Sequence, residues 1–173
     1  MNLQKLKPIK LLILDVDGVL TDGKVIYTDS GEEIKRFDVR DGHGLKLLMR
    51  SGIEVMLLTG RESKVVLHRA RDLGIEHVYQ KAIDKIAVYT KILAGSAWED
   101  KNVAFVGDDL VDIPVLKRVG FSAAVPDAVP EVKEIVDYVT RKNGGDGAVR
   151  EICELLLKAQ NTWKKVTEKY HST

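Results

Sequence analysis

Four aliphatic residues in a row, Leu11-Leu12-Ile13-Leu14, run straight into Asp15-Val16-Asp17-Gly18. An uninterrupted apolar run of this length suits a strand buried on both faces, and such strands belong to parallel sheets covered by helices. In open sheets of that kind, ligands and reacting groups gather at the carboxyl ends of the strands. Two carboxylates two residues apart at that end have two readings. One is a solvated Asp-x-Asp-Gly turn that closes the strand. The other is a pair that holds a hard divalent cation and serves as nucleophile and acid/base.

Other segments repeat the arrangement. Val55-Met56-Leu57-Leu58 ends in Thr59-Gly60-Arg61, and Val103-Ala104-Phe105-Val106 ends in Gly107-Asp108-Asp109. Shorter strands are expected at residues 77–79, 122–125 and 138–140, and helices at 44–51, 63–73, 83–93, 113–119, 129–136 and 147–160. Strands alternating with helices imply an α/β, Rossmann-like parallel sheet flanked by helices, in a single domain over residues 1–160. Residues 24–39 interrupt the alternation. Val25, Tyr27, Ile34, Phe37 and Val39 around Asp29-Ser30-Gly31 read as a β-hairpin projecting an apolar surface, which favours association. Residues 161–173 form a polar tail expected to fray.

Charge and composition narrow the function classes. Lys and Arg number 27 against 26 Asp and Glu, a formal net charge of +1. That balance gives no global field for nucleic acid or a membrane surface. The apolar run after Lys5, Lys7 and Lys10 is too short for a signal-peptide core or a membrane span, so the chain is expected in the cytoplasm. Its one cysteine, Cys153, excludes an internal disulfide framework and reads as a buried thiol among Ile152, Leu155 and Leu156.

Convergence is what turns polar strand ends into a site. Alone, Thr59 caps a helix and Asp108-Asp109 complements a helix dipole. In a parallel sheet, however, these ends share one edge with Asp15 and Asp17 and can enclose one small volume. Lys85 then supplies a cation beside it, or else is an exposed helix lysine. Lys46, Arg61 and Arg69 follow strand ends or lie on flanking helices, as solvated charges or as groups that grip a carboxylate. Arg40-Asp41-Gly42-His43-Gly44 reads as a tight loop lining the pocket entrance, with no catalytic role for His43.

Asp15-x-Asp17-Gly-Val-Leu-Thr, Thr59-Gly-Arg, Lys85 and Gly107-Asp-Asp-Leu-Val-Asp112 resemble the four motifs of the haloacid dehalogenase (HAD) superfamily of phosphotransferases. Gly31-Glu-Glu-Ile-Lys-x-Phe-x-Val-Arg40-Asp-Gly-x-Gly44 and Asp137-Tyr-Val-Thr-x-x-x-Gly-Gly145-x-Gly-Ala-Val-Arg-Glu151 resemble, within it, the 3-deoxy-D-manno-octulosonate 8-phosphate phosphatase family. The resemblance spans about residues 11–160 and implies a Rossmann-like HAD core with a β-hairpin in place of a cap domain. It implies a Mg²⁺-dependent phosphomonoesterase, with Mn²⁺ or Co²⁺ as substitutes, acting on that sugar acid phosphate in lipopolysaccharide precursor synthesis.

The same resemblance assigns roles. Asp15 would be nucleophile and metal ligand, and Asp17 the acid/base that lends its backbone carbonyl to the metal. Asp108 would be the second carboxylate ligand, and Asp109 and Asp112 would orient metal waters or Lys85. Thr59 and Lys85 would bind the phosphoryl group, and Lys46, Gly60, Arg61 and Arg69 the substrate. A homotetramer is implied in which hairpins pair and a neighbour's C-terminal segment covers the site, with Gly144-Gly145-Asp146-Gly147 as a flexible stretch able to reach the pocket. Two alternatives stand beside this reading. One is a phosphatase of another acidic sugar, such as a nonulosonate 9-phosphate. The other is a receiver-type signalling module, which also uses an acidic cluster, Mg²⁺, Thr and Lys. Here, though, Thr59 and Lys85 precede Asp108-Asp109, and Asp17 gives the chain an acid of its own.

Overall fold

In the computed structural model, which describes residues 3–170, β1 (Leu11–Leu14) is the centre of the sheet. It pairs in parallel with β4 (Glu54–Leu58) and with β6 (Val103–Gly107), so that Leu14 stands between Leu57 and Val106. β5 (His77–Tyr79) joins β4, and β7 (Phe121–Ala124) and β8 (Tyr138–Val139) extend outward from β6, all in parallel. The order β5-β4-β1-β6-β7-β8 means that the chain winds one way from β1 and then returns to wind the other. The carboxyl end of β1 is therefore the switch point, the place where such sheets bind ligands.

Alternate residues of each strand feed two separate cores. Leu12, Leu14, Val55, Leu57, Ala104 and Val106 face α1 (Val39–Arg50), α2 (Lys64–Leu73) and α6 (Ala148–Ala159). Leu11, Ile13, Met56, Leu58, Val103 and Phe105 face α3 (Lys85–Ala94), α4 (Ile113–Leu116) and α5 (Pro130–Lys133). The last two helices stop after four residues each, shorter than their apolar patterns suggested. Among the described residues no helix is long and apolar enough to cross a membrane.

Three expectations are corrected. Arg40-Asp41-Gly42-His43-Gly44 is not a loop but the opening of α1, capped by Asp38, whose Oδ1 accepts from the N–H of Arg40 at 2.5 Å and of Asp41 at 3.3 Å. Its glycines serve close packing. A Cβ on Gly42 would lie 2.4 Å from the Arg69 guanidinium, and one on Gly44 would lie 2.9 Å from Arg150 Cδ. The hairpin is also shorter than residues 24–39: β2 (Ile26–Tyr27) and β3 (Glu33–Ile34) pair antiparallel over two residues each, Phe37 turns in against the core, and Val39 belongs to α1. Lastly, residues 161–170 do not fray. α7 (Trp163–Thr167) buries Val166 in the core under α6, and the Trp163 ring lies beneath Arg150 and Lys158, 5.6 and 5.1 Å from its centroid. Tyr170 then bonds Arg50 and His43. The rest of that expected tail, 171–173, lies outside the described residues.

Candidate active site

The backbone of Asp15 continues the β1 ladder, its N–H bonding the Val106 carbonyl at 3.0 Å, while Oδ1 accepts the Val16 N–H at 2.7 Å. Next, the chain doubles back: the N–H groups of Val19, Leu20 and Thr21 all point at the Val16 carbonyl. Gly18, at φ +92°, makes that turn possible, and a Cβ there would sit 2.0 Å from Asp108 Oδ2. The loop after β1 is thus pressed directly against the residue that ends β6. Gly144 and Gly145 close it from the other side. Gly145 donates to the Val19 carbonyl at 3.0 Å, and a Cβ on Gly144 would overlap the Gly18 carbonyl. Rather than a flexible stretch, this part of the chain is a tight seat for its own β1 loop.

Lys85 is the first residue of α3 and is almost fully buried. Its ammonium lies 2.9 Å from Asp15 Oδ2 and 2.5 Å from Asp112 Oδ1. The other oxygen of Asp112 accepts from the N–H groups of Asp108 and Asp109, at 3.0 and 3.2 Å. With both oxygens engaged, Asp112 orients Lys85 and the β6 turn. Asp108 is the contrast: its Oδ1 is buried and, among the described residues, has no hydrogen-bond partner. One carboxylate oxygen each from Asp15, Asp108 and Asp112 lie within 4.8 Å of one another.

Three carboxylates therefore face one ammonium. Burial, reinforced by Asp112 and only partly offset by Lys85, pushes the Asp15 carboxyl up to about 7. Burial, with Asp15 and Asp112, pushes Asp108 up to about 8. Burial pulls the Lys85 ammonium down, but Asp15 and Asp112 outweigh it and hold it above its ordinary value. The pocket is short of positive charge, and Asp108 offers an oxygen that no group among the described residues uses. That donor set fits a hard divalent cation held between Asp15 and Asp108.

Thr59 is buried beside them at the end of β4, tied by its backbone to Tyr79 and Ala82. Its Oγ1 accepts the Arg61 N–H at 3.3 Å, and among the described residues its hydroxyl hydrogen is not donated to any group. The cap of α2 is Ser63, so Thr59 does not serve that helix. Asp109 is exposed and caps the short turn Leu110–Asp112 through its own Oδ1.

Asp17 points toward the hairpin, where the structure reveals two residues not singled out by sequence reasoning, Glu33 and Lys35. Lys35 bonds Asp17 Oδ1, and Arg61 Nε lies 3.7 Å from Asp17 Oδ2. Glu33 receives Arg61 at 2.9 Å and the Ser63 hydroxyl at 2.5 Å. The readable signal was period two: Glu33 and Lys35 face inward while Ile34 is exposed.

The remaining candidates do not join this cluster. Lys46 is exposed on α1 near His43. Arg40 pairs with Asp38 and Asp146 on the surface. Arg69 donates to the Asp38 carbonyl at 3.0 Å and lies over the Phe37 ring. Asp41 accepts from the N–H groups of Arg150, at 2.7 Å, and Gly147, at 3.3 Å, capping α6 from outside it. Burial pushes its carboxyl up to about 6 against those two bonds. Gly60 follows Thr59, and a Cβ there would make only an ordinary contact, 3.9 Å from the Ala82 carbonyl.

A parallel sheet with an acidic, cation-seeking switch point defines a class, and a family model for haloacid dehalogenase-like hydrolases matches residues 72–152. The 3-deoxy-D-manno-octulosonate 8-phosphate phosphatase KdsC of Escherichia coli strain K12 is 51% identical over 156 residues, 90% of this chain and 83% of that protein. The Moraxella catarrhalis phosphatase of the same name, solved in complex with magnesium, phosphate and KDO, superposes with a TM-score of 0.95 at 43% identity, over 98% of this chain and 97% of that one. The cobalt-bound deoxy-D-mannose-octulosonate 8-phosphate phosphatase of Haemophilus influenzae does so with a TM-score of 0.90 at 41% identity, over 96% and 98%. The chain belongs to the 3-deoxy-D-manno-octulosonate 8-phosphate phosphatase family of haloacid dehalogenase-like hydrolases, and is thereby a phosphoric monoester hydrolase.

Proposed function

We propose that the chain hydrolyses 3-deoxy-D-manno-octulosonate 8-phosphate to the free sugar acid and phosphate, a step in lipopolysaccharide precursor synthesis. The observation that carries the chemistry is the carboxylate cluster at the switch point, with its buried, unpartnered Asp108 oxygen. The substrate is supported by relatives: the Escherichia coli protein is a phosphatase of this ester, and the Moraxella catarrhalis phosphatase was solved with phosphate and KDO bound.

Bound by Asp15, Asp108 and the backbone carbonyl of Asp17, Mg²⁺ would offset the repulsion between a carboxylate nucleophile and a phosphate dianion, and relatives with magnesium and with cobalt suggest that Co²⁺, and by the same oxygen chemistry Mn²⁺, can replace it. Asp15 attacks phosphorus in line. A phosphorus–oxygen bond to its carboxylate forms as the bond to the sugar oxygen breaks. Asp17 gives its proton to that departing oxygen, releasing the sugar as an alcohol. As a carboxylate it then takes a proton from water, and the resulting hydroxide attacks phosphorus, freeing inorganic phosphate and restoring Asp15. Thr59 donates its free hydroxyl hydrogen to a phosphoryl oxygen, and Lys85 offsets the charge shared by Asp15 and the phosphoryl group. Gly60 and Arg61 follow Thr59 toward Asp17, with Arg61 3.7 Å from its carboxylate, and would contact the sugar there. Asp109 remains available to orient a metal-bound water.

Phosphate release measured with Mg²⁺ and with EDTA, across a panel of sugar phosphates, tests the reading. The expected result is strong, metal-dependent preference for the eight-carbon acid. Equal turnover of a nonulosonate 9-phosphate would discard the named substrate, and no turnover of any ester would point to the signalling module instead.

A homotetramer completes the proposal. Val25, Ile26, Tyr27 and Ile34 stand exposed on the hairpin, and β2 and β3 pair only with each other among the described residues, leaving both outer edges open. Apolar surface and open edges together favour pairing with a second copy. Sedimentation should give a tetramer; a monomer at working concentration would remove hairpin pairing from the account.

A further inference from the structure

Among the described residues, the Asp17 carboxylate meets two cations, Lys35 at Oδ1 and Arg61 at Oδ2. The Arg61 contact, at 3.7 Å, is too long for a hydrogen bond. Lys35 alone thus makes the bond that decides where Asp17 points. Its side chain is only 1% exposed, although it is carried on a two-residue ladder outside the main sheet. A buried ammonium persists only where it is paired.

The second partner of Lys35 comes from the same strand face. Glu33 Oε1 lies 3.3 Å from the Lys35 ammonium and 2.9 Å from Arg61, and Oε2 accepts from the Ser63 hydroxyl. Burial raises the Glu33 carboxyl, but Ser63, Lys35 and Arg61 outweigh it and hold the group below its usual range. Glu33 already ties the hairpin to the loop after β4 through Arg61 and Ser63. A latch needs no further lysine. What Lys35 adds is a bond to a residue of the reacting loop, and that loop's other bonds, among backbone groups and with the Asp15 carboxylate and the Thr21 hydroxyl, do not reach the Asp17 side chain.

We propose that Lys35 is a positioning residue for Asp17: the hairpin carries it in so that its ammonium, braced by Glu33, aims the Asp17 carboxyl at the oxygen that leaves with the sugar. The assignment rests on the phosphatase reading above. It gives the hairpin a function within its own subunit, separate from any pairing of copies.

Acid assistance matters most when the leaving group is poor. A sugar alkoxide is a poor leaving group and p-nitrophenolate a good one, so a residue that acts through the acid is exposed by comparing the two esters. Lys35→Met should lower kcat/KM on the sugar acid phosphate by roughly 10- to 100-fold, the range of other orienting partners, and leave kcat/KM on p-nitrophenyl phosphate within about threefold. That parameter ends at departure of the leaving group and so excludes the later water attack. Asp17→Asn should show the same split in kcat/KM more strongly, with kcat lowered on both esters because Asp17 is also the base for the water, and Lys35→Arg should recover part of the loss. Glu33→Gln, which keeps Lys35 but loosens its brace, should give a smaller split of the same sign and guards against a Lys35 variant that does not fold.

Equal losses of kcat/KM on both esters, accompanied by a lower melting temperature, would make Lys35 a latch and overturn the assignment. A rise in KM confined to acidic sugars, with kcat untouched, would overturn it in favour of a contact to the substrate carboxylate. Wild-type protein inactive on every ester would overturn the phosphatase reading itself, an outcome distinct from both.

Discussion

Asp108→Asn lowers phosphate release by roughly 10³-fold, since a metal site supplies several kcal/mol of charge stabilisation, and yet raises the melting temperature of the metal-free protein. The second effect follows from the cluster. Asp108 has no partner for Oδ1 and faces Asp15 and Asp112, and its carboxyl is pushed up to about 8 from an ordinary 3.8 by burial and then by those two charges. An acid whose folded pKa is raised binds its proton more tightly folded than unfolded. The stability tied to that proton is fully present below 3.8 and is lost as the pH rises through about 8. Asparagine does not titrate, so the variant keeps what the wild type loses, and the difference in melting temperature opens from about pH 4 to about pH 8. Adding Mg²⁺ reverses the order. A cation bound to the folded state alone stabilises the wild type by mass action, increasingly so at higher pH as protons stop competing. The variant gains little. Thermal melts of both proteins across that range, with EDTA and with Mg²⁺, make the comparison. A variant less stable under both conditions, or one still stabilised by Mg²⁺, would remove Asp108 from the metal site.

The same residues show what a sequence displays and what it conceals. The places of Asp15, Asp17, Thr59 and Asp108 were legible because each lies within three residues of the end of an apolar run, and a strand buried on both faces can end only at a sheet edge. Local pattern and tertiary position carry the same information there. For Gly42 and Gly44 they diverge. Two glycines read locally as a loop, whereas inside α1 they let the helix approach Arg69 and Leu73 at Gly42 and Arg150 at Gly44, where a Cβ would lie within 3 Å of each. Asp41 reads as a loop acid near a pocket, yet its partners are backbone N–H groups of α6, more than a hundred residues away. No periodicity reports such a bond. Lys35 was hidden for a different reason. An apolar load on one side of a hairpin drew notice to Tyr27 and Ile34, while the inward face carries charge. α7 escaped detection because Trp163 and Val166 are too few to show a helical period, and because its anchors are cations on α6.

Lys85→Met is the change with the largest combined effect. Methionine fills nearly the same volume, so packing is preserved and charge is what is removed. Among the described residues, Lys85 is the one cation bonded to Asp15 and to Asp112, both buried. Taking one partner from a buried pair leaves an uncompensated charge and costs about 3–5 kcal/mol. For a chain of this size that is a fall in melting temperature of roughly 6–20 °C near neutral pH. The deficit has a sign in pH. Without the ammonium, burial and mutual repulsion hold Asp15 and Asp108 even further above 3.8. The folded state then takes up protons more avidly, so the deficit narrows as pH falls and widens as it rises. Phosphate release drops by about 10²–10³-fold, the loss associated with removing one preorganised electrostatic group. Asp112→Asn in the Lys85→Met background separates the two losses. It removes one stranded charge while its side-chain oxygen still accepts the N–H groups of Asp108 and Asp109, so part of the stability returns and none of the rate does. A single variant with unchanged melting temperature would show that the Asp15–Lys85–Asp112 chain is not held as a buried unit. A double variant that regained activity would assign Lys85 to structure alone.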